Sequence, residues 1–106
     1  MSRYGMLNKI KKDKIEEYRK AHEKIWPEML KALSDSGFKN YSIFTRNDGT
    51  LFSYFEHKNL SEGMKMLFEK EVNTKWQKYM DNYFIKKDKK ISGPEYEELK
   101  EVFHMD

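Results

Sequence analysis

Cysteine is absent from the chain, and that removes disulfides, thiolate nucleophiles and cysteine-based zinc sites together. The absence fits a reducing compartment, and the cytoplasm is the expected location. Proline occurs twice and glycine five times, too few for a Pro/Gly-rich disordered segment, while aromatic residues at 15% are too many for one. No apolar run approaches the roughly 18–20 residues that a membrane span needs. The first residues, MSRYGMLNKIKKDK, lack the apolar centre of a signal peptide. Neither sign of charge dominates: 21 Lys+Arg against 18 Asp+Glu give a formal net charge of +3, with acids interleaved among the bases. A nucleic-acid partner needs clustered bases, so none is expected. Also missing are a phosphate-cradling glycine loop, G-x-S-x-G and H-E-x-x-H. The three histidines, His22, His57 and His104, have no metal-ligand spacing, so neither a metal nor a cofactor is expected.

What is present reads as one small folded domain over residues 1–106, with a highly charged exterior. A chain of this length buries only about 60–70% of its unfolded surface, and oligomerisation is a common remedy.

Residues 2–8 read as a strand. Asp13, with Glu16 three residues on, resembles a capping box with Asp at the N-cap. Ile15, Tyr18, His22 and Ile25 then form one helical stripe. Pro27 suits the first turn of a second helix, because its missing N–H is unsatisfied there anyway. Met29, Leu30 and Leu33 form the apolar face of that helix, and Gly37 its C-terminal stop. Residues 38–46 and 51–57 read as strands around Asn47-Asp48-Gly49-Thr50, a strong hairpin signal. Apolar groups point to both faces of 51–57, so both faces should be covered, one by helices and the other by a second subunit. A short helix begins at Asn59 or Ser61, with Met64, Leu67 and Phe68 inward. A longer one spans about 71–84 on the stripe Val72, Trp76, Tyr79, Met80 and Tyr83. Residues 86–94 read as an exposed loop and 99–105 as a last strand. The order is close to β-α-β-β-α-β with split helices, the ferredoxin-like plait of the α+β class.

His22 carries the most chemical information. It follows Tyr18 by one helical turn, so both side chains point the same way, into the fold. Near neutral pH a histidine gives or takes a proton. The plainer meaning of such a position, a core histidine bonded to a backbone carbonyl, is the more common one. Trp76 and Tyr79 offer faces on which sugars stack, although aromatic stripes at helical spacing are more often core. Tyr41, on a strand, needs a hydroxyl partner if buried. The Lys/Glu runs read as solvated faces.

Four segments together, EEYRKAHEKIWPEM at 16–29, NYSIF at 40–44, WQKYM at 76–80 and ELKEVFHMD at 98–106, resemble the L-rhamnose mutarotase family along most of the chain. The resemblance implies a cofactor-free sugar isomerase on a dimeric ferredoxin-like fold of the α/β-barrel type, with sheets packed together in a homodimer. It places the family's proton-donating histidine on His22 and its substrate-binding tyrosines on Tyr18 and Tyr41. The family's Trp-Trp pair is half matched, by Trp76 followed by Gln77, which bears on the choice of sugar. The implied reaction is interconversion of the α and β anomers of L-rhamnose or a related deoxy-sugar. Glu28, Glu101 and Asp106 lie in family-like segments and are candidates for a second acid/base group. The competing readings are a cofactor-independent monooxygenase on the same dimeric fold and a sugar-binding dimer without catalysis.

Overall fold

Strand β1 (Ser2–Ile10) alternates as a half-buried strand should: Asn8 and Ile10 are buried and Lys9 between them is exposed. It is the central strand of an antiparallel sheet in a computed structural model that describes residues 1–91 and 93–106. After it come α1 (Ile15–Glu23), α2 (Pro27–Asp35), β2 (Lys39–Thr45), β3 (Thr50–His57), α3 (Leu60–Phe68), α4 (Glu71–Met80), β4 (Phe84–Ile85) and β5 (Glu97–Leu99). The sheet order is β2-β3-β1-β4, with β5 also on β1. Two split helix pairs, α1–α2 and α3–α4, alternating with an antiparallel sheet in this order make the ferredoxin-like plait of the α+β class.

The β2–β3 hairpin turns at Gly49, whose φ of 92° only glycine adopts freely and whose missing Cβ would lie 2.4 Å from the Ile10 carbonyl oxygen. On β3, Leu51, Ser53, Phe55 and His57 are buried, while Phe52, Tyr54 and Glu56 face the other side. Pro27 opens α2, and Gly37 at φ 93° follows its end, donating its N–H to the Ser34 carbonyl. Asn59 caps α3 by accepting the Glu62 N–H. His57 ties these pieces together. Its Nδ1 accepts the Asn59 N–H at 2.9 Å and its Nε2 donates to the Ser36 carbonyl at 2.7 Å.

Several expectations need correction. Asp13 is not an N-cap: Lys12–Lys14 form a 3-10 turn, and α1 starts at Ile15 with no side-chain cap. The Lys11 N–H is already committed to the Tyr83 carbonyl, and Lys14 closes the turn onto Lys11. Leu30 and Phe68 are exposed; Ala32 and Gly63 take the inward places beside Met29 and Leu67. The last long helix stops at Met80, because the chain turns there and Phe84 pairs with Ile10. The final strand is Glu97–Leu99 rather than 99–105, and residues 100–106 run on without regular structure.

Candidate active site

Helix α1 presents Tyr18 and His22 one turn apart, their ring centres 4.2 Å from each other. The His22 Nδ1 lies 2.9 Å from the Tyr18 carbonyl oxygen. A carbonyl only accepts, so Nδ1 is the protonated nitrogen of the neutral ring and Nε2 carries the lone pair. Burial pushes the imidazole pKa below its ordinary value, and the bond to Tyr18 offsets part of that. Near pH 7 this histidine is therefore a neutral base.

Helix α4 supplies Trp76, whose ring meets His22 edge-on at 5.4 Å. Trp26, on the link between α1 and α2, packs edge-on against Trp76 at 5.0 Å and stacks with Tyr79 at 5.9 Å. The Tyr18 and Trp76 rings flank His22, and the Tyr18 carbonyl fixes its Nδ1. Tyr41 sits on the helix-facing side of β2 between Phe38 and Phe55, at 6.0 and 5.3 Å. Burial raises the Tyr41 phenol, with partial relief from hydrogen bonding to Tyr96 and Ser53. Burial also raises Tyr18, and the nearby Tyr41 adds to that. Both phenols stay protonated, so they are available as donors at any physiological pH.

The structure thus gathers His22, Tyr18 and Trp76 in direct contact, with Tyr41 adjoining through Tyr18. Gln77 stands apart. It follows Trp76 by one residue and so points about 100° around the helix. Its amide nitrogen donates to Asn73 at 3.2 Å, and its Oε1 lies 3.1 Å from where a Cβ on Gly93 would sit. It is packed beneath the segment that leads into β5.

None of the three carboxylates considered as a second acid/base group joins the cluster. Glu28 is exposed in the first turn of α2. Glu101 is held by Arg3 through two bonds of 2.8 and 3.2 Å. Asp106 is exposed and pairs with His104 at 2.7 Å. Sequence reasoning missed Tyr96, whose hydroxyl meets that of Tyr41, and the supporting ring of Trp26. Tyr96 fell between an expected loop and an expected strand, with no local signal. Among the described residues, no three His, Asp or Glu side chains are placed to hold a metal ion, and no helix is long and apolar enough to cross a membrane. Two shallow grooves lie elsewhere. One of ≈ 310 Å³ runs over the outer sheet face and takes no lining residue from a helix. The other, ≈ 380 Å³, lies between α1, Trp26 and the chain from Tyr79, near the end of α4, to Tyr83 beyond it.

Among known proteins, the family described as L-rhamnose mutarotase matches residues 3–105. The L-rhamnose mutarotase of Oceanobacillus iheyensis is 39% identical over 107 residues, covering the whole of both chains. That of Bacillus subtilis is 37% identical, again over the whole of both. The crystal structure of an L-rhamnose mutarotase from Formosa agariphila is similar over all of both chains, with a TM-score of 0.81 at 28% identity. A dimeric ferredoxin-like protein from an uncultured marine organism shares the fold, with a TM-score of 0.61 at 14% identity over 98% of this chain and 96% of its own.

Proposed function

The chain belongs to the L-rhamnose mutarotase family and is an isomerase that interconverts the α and β anomers of L-rhamnose, and we propose that His22 is the group that moves the anomeric proton. The observation that carries this role is the Nδ1 bond to the Tyr18 carbonyl, which leaves Nε2 as the one basic atom of a fixed ring.

Mutarotation needs two proton transfers and no redox change. Nε2 takes the proton from the anomeric hydroxyl. The O–H electron pair becomes the carbonyl of the open chain, the C1–O bond of the ring breaks, and its pair goes to the ring oxygen, which takes a proton from solvent water and returns it when the ring closes. Rotation about C1–C2 presents the other carbonyl face. Closure runs the steps backward, and His22 now donates the proton it had accepted. Each general acid–base step contributes about 10²–10⁴-fold. Tyr18 and Tyr41 bind sugar oxygens as donors, since burial keeps both phenols protonated, and a phenol beside the ring oxygen favours its protonation. Trp76 gives the apolar C–H side of the pyranose a face to pack on. Gln77 acts on the sugar at one remove, through the segment it supports.

The working unit is a homodimer on one continuous chain domain, formed through the outer sheet face, and its place is the cytoplasm. Support comes from the uncovered apolar groups of that face and of the C-terminal tail, and from the dimeric ferredoxin-like protein that shares the fold. The test of the catalytic role is proton exchange spectroscopy on the anomeric signals of L-rhamnose. The parent should add α–β exchange in proportion to its concentration, and folded His22→Ala should lose about 10²-fold or more of it. Parent-level exchange in His22→Ala would remove His22 from the mechanism. Silence toward sugars with oxygen uptake on a phenolic substrate would favour a monooxygenase.

A further inference from the structure

We propose that Tyr96 is a further sugar-binding residue, its hydroxyl and the Asn8 amide forming a polar wall that holds one hydroxyl of the pyranose. The proposal rests on the mutarotase reading above and extends it to residues that no motif marks.

Strand register places them. β5 pairs with β1 so that Leu99 faces Gly5, Glu98 faces Met6 and Glu97 faces Leu7. One step further along the same antiparallel register, Tyr96 stands opposite Asn8. Side chains alternate between faces along a strand. Gly5 and Leu99 both line the groove on the outer face, so Tyr96 and Asn8, an odd number of positions away, belong to the inner face. Asn8 is buried there. The contacts agree: the Tyr41 hydroxyl meets both Tyr96 and Ser53, and Ser53 is the β3 partner of Met6, the inner position next to Asn8. Tyr18 is near enough for its ionisation to bear on that of Tyr96. Asn8, Ser53, Tyr41 and Tyr96 therefore form one hydroxyl- and amide-lined surface beside Tyr18 and His22.

Three anchors hold Tyr96 in place. Gly93 packs on Gln77 at φ 77°, a backbone conformation that side chains strain against. The Glu95 carboxylate accepts the N–H groups of Lys87 and Asp88 at 3.2 and 3.1 Å. β5 fixes the following three residues on β1. The ring of Tyr96 is part exposed while its hydroxyl meets Tyr41, so the side chain spans from solvent to the cluster. A wall that is rich in neutral donors and next to a neutral base suits a polyhydroxyl ligand. It does not suit an anion, which would call for a cation.

Tyr96→Phe tests this, because it deletes the hydroxyl and keeps the ring. By exchange spectroscopy, KM for L-rhamnose should rise about three- to tenfold, the loss expected for one neutral hydrogen bond, with kcat within about twofold and an unmoved thermal midpoint. Titration with L-rhamnose followed by the fluorescence of Trp26 and Trp76 should give the same rise in Kd. Folded Tyr96→Phe with parent KM and Kd overturns the proposal while leaving the mutarotase reading intact. A parent that binds L-rhamnose without exchanging its anomers overturns the catalytic reading alone, and the fluorescence titration still decides on Tyr96. A parent that does neither overturns both.

Discussion

At the scale of residues, the fate of His22 turns on one hydrogen bond and on burial. The bond to the Tyr18 carbonyl fixes the tautomer; burial makes the neutral form the resting one. After subtraction of spontaneous mutarotation, the enzymatic rate should be flat above pH 7. It should fall on the acid side with a midpoint below 6.5, the ordinary histidine value. The sign follows from the direction of the shift: a lowered pKa keeps Nε2 free further into acid than in a model peptide. As pH falls, the unfolded chain takes up this proton first, so the same group also withdraws stability in acid. A rate midpoint above 6.5 would mean that His22 rests protonated and that the base is another group. Tyr18→Phe should cost less than His22→Ala, about tenfold in kcat/KM, because the backbone carbonyl that holds His22 survives the change. An unchanged rate would reduce the phenol to packing. Tyr18 and His22 were legible in the sequence because a helix repeats its face every turn, and both lie on one helix. Asn8 and Tyr96 were not: they sit 88 positions apart, and only the β1–β5 register carries them to the same sheet face, which leaves no local pattern.

At the scale of elements, the readable signals were those with a steric cause. Pro27 opens α2, Gly49 turns the hairpin and Gly37 ends α2, each where the backbone admits few alternatives. The signals that failed were those that tertiary pairing can overrule. Asp13 had capping chemistry, but the Lys11–Tyr83 bond sets the chain into a 3-10 turn first. The helical stripe carried the expected helix on to Tyr83 and Phe84, but Phe84 pairs with Ile10 as a strand residue. The junction of α2, β3 and α3 offers a stability test. His57 fills the space beneath Gly63, where a Cβ would come 2.1 Å from its Nε2 and 2.7 Å from the Ser36 carbonyl oxygen. The backbone carbonyl cannot retreat as a flexible side chain would. Gly63→Ala should therefore lose about 1–3 kcal/mol in urea unfolding, against the slight gain that alanine normally brings to a helix interior. A variant as stable as the parent would mean that α3 shifts freely over His57. Because this junction lies away from His22, kcat of the folded fraction should not change.

At the scale of the whole molecule, the chain leaves apolar surface that a small monomer does not keep. Val102 is 96% exposed, Phe103 79% and Met105 78%, on a tail with no regular structure of its own. Phe44, Phe52, Tyr54 and Leu99 are on the outer sheet face or beside it, and no helix lines the groove there. The double-sided strand 51–57 announced this in the sequence, since one face met the helices and the other had to meet something. A second copy would cover both the sheet face and the tail at once, in a symmetric contact of the kind that most homo-oligomers use. The Arg3–Glu101 pair ties the tail to β1 along that face. The parent should sediment as a dimer at micromolar concentration, and Phe103→Glu should shift it to monomer, because a carboxylate in an apolar interface core must be desolvated without a counter-ion. The monomer should also melt earlier, since dimerisation adds to stability by mass action. A parent that sediments as a monomer would remove the dimer. A Phe103→Glu protein that stays dimeric would move the interface off the tail and onto the bare sheet face, where Phe52→Glu would be the variant to separate the copies.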